Sequence, residues 1–434
     1  MEIYVVKSGD TLYNIARRFS VSMDDLIYAN QLQNPGVLAV GQALVIPVSD
    51  VRHTVSRGES LYSIARSYGV SVETIRRANP WLGASSRIYP GQVLTIPLGS
   101  EMLGKIIVDG YASNISDDTL RQSLPSLTFL SPFSYRADEN GALTPNFSVD
   151  VSMAARFDTA ALMVVTNLKE SGGFSSDVAH QLLTNQDSQD NFLKNCLATL
   201  RAGGYYGLSL DFEYVYPFDL GSFNQFLRRL ADTLHAAGYI LISALAPKLS
   251  ADQSGFLYSA HDYAFHGKTS DYVVLMTYEW GYTYGPAMAV SPVNMVRRVL
   301  DYAVTEIPPG KILMGTPNYG YNWTLPYIQG SAAKPVTNVG AVTLAGQAGA
   351  RIQFDEISQA PFFRYYDGSG KQHEVWFEDA RSIRAKLRLV SEYELAGVSW
   401  WNLNALFRTN FYVLQSMYSV EKVLQSQSPR KVTP

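Results

Sequence analysis

Eight short apolar segments recur from residue 105 onward in this 434-residue chain, each followed by a stretch with helical periodicity. They read KIIVDGY, LTFLSPF, ALMVVTN, GLSLDFE, ILISALAP, YVVLMTY, KILMGTP and GVSWWNL. Strands separated by helices pair in parallel, because a parallel neighbour can be reached only through a crossover. Eight such units predict an α/β (β/α)8 TIM barrel, whose function sits at the C-terminal ends of the strands. The helices carry their own signals. Ser222 and Gln225 read as a capping box on the stripe Phe223, Phe226, Leu227, Leu230 and Leu234, and Asp379 reads as the cap of a helix bearing Ile383, Leu387 and Val390. Between strands seven and eight, residues 321–377 exceed an ordinary connection. Their apolar and polar alternation around a DGSG turn predicts a small α+β insertion.

Ahead of the barrel the chain repeats itself. Gly9, Leu12, Ile15 and Asn30 recur 49 positions later as Gly58, Leu61, Ile64 and Asn79, while Gly41-Gln42 and Ile46-Pro47 recur 50 later. Each copy reads as a small βααβ unit. Thr11 and Ser60 stand as caps before the stripes Leu12, Ile15, Ala16, Phe19 and Leu61, Ile64, Ala65, Tyr68, and second helices are expected from Ser22 and Ser71. The organisation is therefore multidomain: 1–49, 51–99, a barrel over 102–425 and a frayed tail over 426–434. These repeats resemble LysM modules. The resemblance implies binding of N-acetylglucosamine polymers through Gly9, Asp10, Thr11 and Asn30 in the first copy and Gly58, Glu59, Ser60 and Asn79 in the second. Tethering two weak sites to one polymer raises avidity by about 10²–10⁴.

The chemistry concentrates on the fourth segment. Side chains alternate faces along a strand, so Ser209, Asp211 and Glu213 point one way while Leu208, Leu210 and Phe212 point the other. The apolar set suits the helix layer, which turns two carboxylates inward at the barrel mouth, where burying them carries a stability cost unless they are needed. This strand resembles the glycoside hydrolase family 18 signature D-G-x-D-x-D-x-E, with Gly207, Asp211 and Glu213 matching. Met276-Thr277-Tyr278, the string GTPNYG with Asn318 and Tyr319, and Trp401 continue the likeness, while Tyr206 and Ser209 replace motif aspartates and Glu279 stands where many members have Asp. Trp400 faces the other side and reads as core.

The resemblance implies substrate-assisted catalysis, an exception to the two-carboxylate scheme. Glu213 would be the acid, Asp211 would orient the acetamido N–H, Tyr278 would hold the acetyl oxygen, and Trp401, Glu279, Ser209, Tyr319 and Asn318 would bind sugar. The strings MTYEWG, TPNYGYNW and VWFEDARSI, together with the repeats, resemble spore-germination cortex-fragment N-acetylglucosaminidases of spore-forming bacteria. A chitinase, or a catalytically silent glycan-binding spore-coat protein, is the alternative.

Thirty-five Lys and Arg against 38 Asp and Glu give a net charge of -3 and no footprint for nucleic acid or an anionic membrane. Neither a signal peptide nor a membrane span is legible; the resemblance to cortex-fragment hydrolases implies a location at the coat and cortex boundary of the spore. Cys196 reads as a small buried hydrophobe, and His261 and His266 lack metal-ligand spacing. No metal or cofactor is expected, the expected partner is peptidoglycan or another N-acetylglucosamine polymer, and the chain is expected to be a monomer.

Overall fold

The computed structural model describes residues 1–47, 51–68, 70, 72–82, 87–96 and 102–424. All eight predicted segments are strands: β1 (Gly104–Ala112), β2 (Phe129–Pro132), β3 (Ala160–Thr166), β4 (Gly207–Asp211), β5 (Ile240–Leu245), β6 (Tyr272–Leu275), β7 (Ile312–Pro317) and β8 (Gly397–Trp401). Each runs parallel to its neighbours, and β8 returns to β1 with Gly397 beside Ile107, closing a TIM barrel. Apolar side chains facing inward from successive strands, among them Ile107, Phe129, Leu162, Ile242, Val274 and Leu313, fill the interior. A ligand can therefore enter only at the mouth.

On the outer face Leu208, Leu210 and Phe212 pack with Phe223, Phe226 and Leu227 of the helix Leu220–Ala236, as the alternation requires. Buried Cys196 joins the same cluster. The capping expectation at Ser222 is corrected. Pro217 starts a 3-10 turn, Pro217–Asp219, that runs straight into the helix, so the chain is already helical at Ser222 and Asp219 occupies the cap position. Asp379 does cap its helix, and Ser382 completes a capping box with it.

The long connection after β7 is a five-stranded antiparallel sheet with one helix, Asn338–Gln347. Its hairpin turns at Asp367, whose carboxylate accepts the Ser369 and Lys371 N–H groups at 2.9 and 3.0 Å.

Both repeats are βααβ units with an antiparallel strand pair. Thr11 and Ser22 cap the helices Leu12–Phe19 and Met23–Asn30, and Ser60 accepts the Ser63 N–H at 3.1 Å; Ser71 lies outside the described residues. The first repeat is seated on the barrel. The Gln31 amide donates to the Leu406 carbonyl at 3.0 Å and accepts the Arg408 N–H at 2.7 Å, and the Val40 carbonyl accepts the Ile352 N–H at 2.9 Å. Val45 is buried in the barrel's own apolar cluster. Among the described residues no helix is long and apolar enough to cross a membrane.

Candidate active site

Asp211 is the last residue of β4, and Glu213 lies two residues beyond it. Both line a cavity of about 460 Å³ at the mouth, together with Tyr111, Phe133, Phe174, Tyr214, Tyr258, Met276, Tyr278, Glu279, Tyr282 and Trp401. The alternation that starts on the strand persists past its end, because Phe212 between the carboxylates is held in the outer core.

The backbone here is clamped at three successive residues. His261 donates from Nε2 to the Phe212 carbonyl at 3.1 Å, the Asn167 amide accepts the Glu213 N–H at 3.0 Å and donates to its carbonyl at 2.8 Å, and the Ser176 hydroxyl donates to the Tyr214 carbonyl at 2.5 Å. His261 accepts the Ala246 N–H at Nδ1, which fixes the proton on Nε2, and burial pushes its pKa down to about 4. A neutral histidine thus serves as structural donor. Tyr214 adopts a left-handed backbone at φ 54°, a conformation that costs a non-glycine residue about 1–3 kcal/mol and persists only where surroundings enforce it.

The electrostatics favour protonated acids. Burial lifts Asp211 to about 7, and burial plus the neighbouring Asp211 charge lift Glu213 well above the ordinary carboxylate range. Asp211 Oδ1 is buried without a hydrogen-bond partner. Tyr278 lines the cavity with its phenol raised by burial, and Trp401 packs against Tyr111 and Phe133 at ring distances of 5.6 and 5.3 Å. Glu279 sits on the same wall, its carboxylate accepting hydrogen bonds from Tyr319 and, at 3.1 Å, from Tyr321.

The remaining expected residues do not line this cavity. Ser209 is fully buried and bonded to the Tyr111 hydroxyl at 2.9 Å, so it supports the site from behind. Asn318 is buried, with its amide donating to the Asn402 and Ala405 carbonyls at 2.8 Å each. In the repeats, Asn30 and Asn79 bond their own module's backbone, Asn30 with Leu26 and Val45, Asn79 with Ile75 and Thr95. The amides of these three asparagines are engaged in internal hydrogen bonds that hold loops. Asp10 and Glu59 staple equivalent turns by accepting the Lys7 and Ser56 N–H groups at 2.7 Å each. Thr11 and Ser60 cap helices, and Gly9 and Gly58 supply positive φ with open space around them.

Sequence reading missed Asn167, although a polar residue closing the apolar run of β3 is a signal in a barrel. It also missed Asp109, a buried carboxylate of β1 that accepts the Ser131 and Ser399 hydroxyls at 2.6 and 2.7 Å and is raised to about 6 by burial. Its place inside the apolar run KIIVDGY is a local mark of the same kind, but its partners come from other strands and are not legible from the sequence. Among the described residues no group of three His, Cys, Asp or Glu side chains is placed to hold a metal ion.

The family model for glycosyl hydrolases family 18 matches residues 150–405, and that for the LysM domain matches residues 4–47 and 53–97. A cortical fragment-lytic enzyme of Bacillus subtilis (strain 168) is 41% identical over 97% of this chain and 99% of its own length. The crystal structure of the spore cortex-lytic enzyme SleL of Bacillus megaterium QM B1551 superposes with a TM-score of 0.84 at 38% identity, covering 97% of this chain and 98% of that one. A chitinase from Chromobacterium violaceum ATCC 12472 matches with a TM-score of 0.67 at 26% identity, over 72% of this chain and 98% of that one. With its paired carboxylates at the barrel mouth and its two repeats, this chain belongs to family 18 of the glycosyl hydrolases and carries two LysM domains.

Proposed function

We propose that this chain is a retaining N-acetylglucosaminidase that hydrolyses β-1,4 bonds after N-acetylglucosamine in spore cortex peptidoglycan. The observation that carries the reading is the pair Asp211 and Glu213, both desolvated and both shifted toward the neutral acid at the edge of a cavity walled by Tyr278 and Trp401. A glutamic acid that keeps its proton near neutral pH is suited to protonate a glycosidic oxygen. The unpartnered Oδ1 of Asp211 is suited to receive the acetamido N–H, which turns the acetyl oxygen toward the anomeric carbon with Tyr278 as its donor. The nucleophile then belongs to the substrate, and two displacements retain configuration. Muramic lactam has no acetamido group, so it falls on the leaving-group side.

The cortex as substrate follows from the Bacillus relatives, and the repeats would hold the enzyme on peptidoglycan in the spore. The chitinase neighbour motivates a second reading, hydrolysis of chitin or chito-oligosaccharides. The test is borohydride labelling of new reducing ends on purified cortex fragments and on chitin, side by side, for the wild type and Glu213→Gln. Labelled glucosamine from cortex, lost about 10²–10⁴-fold in the variant, is expected. Label from chitin alone would favour the second reading, and undiminished turnover by the variant, or equal turnover of N-deacetylated substrate, would overturn the mechanism.

A further inference from the structure

A run of aromatic rings leaves the catalytic cavity and continues onto open surface. It starts at Phe174 and Tyr214, which line the cavity and lie 6.3 Å apart by ring centre. From Tyr214 it passes to Phe256 at 6.3 Å, from Phe256 to Tyr216 at 5.6 Å, and from Tyr216 to Phe218, stacked at 4.9 Å. Three separate loops contribute, those following β3, β4 and β5. Apolar rings brought together from three loops ordinarily bury one another, yet Tyr214, Phe256 and Phe218 remain 40%, 47% and 72% exposed. Contiguous exposed apolar surface of this kind marks a binding site.

The rings are also held in place. The Tyr216 hydroxyl donates to Asp177 at 2.7 Å, and His180, itself bonded to Asp219 at 2.9 Å, packs edge-on against both Tyr216 and Phe218. Tyr214 is set by its left-handed backbone and the Ser176 hydrogen bond. Rigid rings presented at low entropic cost are what a weakly polar ligand with flat apolar faces needs.

We infer that this run is the track for the leaving-group side of the glycan strand, its rings stacking on the C–H faces of successive hexosamine units beyond Glu213. The direction follows from the chemistry. The acid delivers its proton to the bridging oxygen, so the departing sugars lie on the far side of Glu213 from the Trp401 wall, and Tyr214 is the residue immediately after the acid. The inference rests on the glycosidase reading of the cavity and adds to it a preference for length: substrates with several sugars extending outward from the scissile bond are turned over with the higher kcat/KM.

The experiment compares the wild type with Phe218→Ala, Phe256→Ala and the double variant on two substrates, long peptide-free cortex oligosaccharides and an aryl N-acetylglucosaminide whose leaving group is too short to reach beyond Tyr214. The double variant should lose about tenfold in kcat/KM on the long substrate, with the single variants intermediate. Turnover of the aryl glycoside should stay within twofold and the thermal midpoint should not move. Unchanged kinetics on the long substrate, or an equal fall on both, would overturn the track while leaving the hydrolase standing. Absence of turnover of either substrate by the wild type would overturn both.

Discussion

The two repeats share a fold and differ in what they lean on. Their inward positions correspond: Leu44 and Ile46 in the first closing strand, Leu94 and Ile96 in the second, are all fully buried. Their outward positions do not. Val45 is buried in the barrel cluster where its counterpart Thr95 is half-buried, and Ala39 is 4% exposed where Tyr89 is 60% exposed. Gly41 lies against the barrel's insertion, such that an added methyl would come within 1.9 Å of the Ile352 carbonyl oxygen, whereas Gly91 has nothing within 4 Å. Gln31, which bonds both Leu406 and Arg408, corresponds to Pro80, which has no side-chain amide to offer. One face of a strand reports the module's own core and the other reports its neighbour. The first repeat has therefore become part of the barrel's surface, while the second keeps Trp81 and Tyr89 exposed.

The sharpest test of this contrast uses the paired glycines. Gly41 and Gly91 have φ of 87° and 89°, so alanine imposes the same backbone strain, about 1–2 kcal/mol, at both. Only at Gly41 does the new methyl also strike the Ile352 backbone, adding about 1–3 kcal/mol or forcing the repeat off the barrel. Denaturant unfolding of Gly41→Ala and Gly91→Ala should show the larger loss in the first, accompanied by faster hydrogen exchange at Ile352. Equal losses would mean that the seam carries no stability.

Gln31→Ala comes next. It strands the Arg408 N–H and the Leu406 carbonyl at the seam, a loss of about 1–3 kcal/mol by the same measurement. A change within about 0.5 kcal/mol would mean that water replaces the amide without loss.

What the sequence made legible follows from which signals are local. The eight strands, the helix cap at Asp379, the burial of Cys196 and the shared orientation of Asp211 and Glu213 all rest on local patterns of the sequence, and each is present in the structure. The misplaced cap at Ser222 arose because the proline-initiated turn upstream outweighs a correct capping pattern. Ser209 and Asn318 matched or neighboured motif positions, but only tertiary structure shows that Tyr111 and two backbone carbonyls already occupy their polar groups. The seam between the first repeat and the barrel was illegible for the same reason. Gln31 and Arg408 are partners separated by 377 positions, and neither carries a mark of the other.

The smallest effect concerns the closing strands, where converting one repeat toward the other isolates the seam from the module. Val45→Thr places a hydroxyl in the barrel's apolar cluster with no change of shape. The loss expected is about 1–2 kcal/mol, less if the hydroxyl reaches a nearby carbonyl. The reciprocal Thr95→Val removes a half-buried hydroxyl and should fall within about 0.5 kcal/mol of the wild type, since surface substitutions away from special features do. If both changes were neutral, Val45 would be buried by proximity alone. If both were destabilising, the second repeat would also have a partner surface on that face. Opposite behaviour at two positions of identical secondary structure is therefore what separates a docked module from a free one.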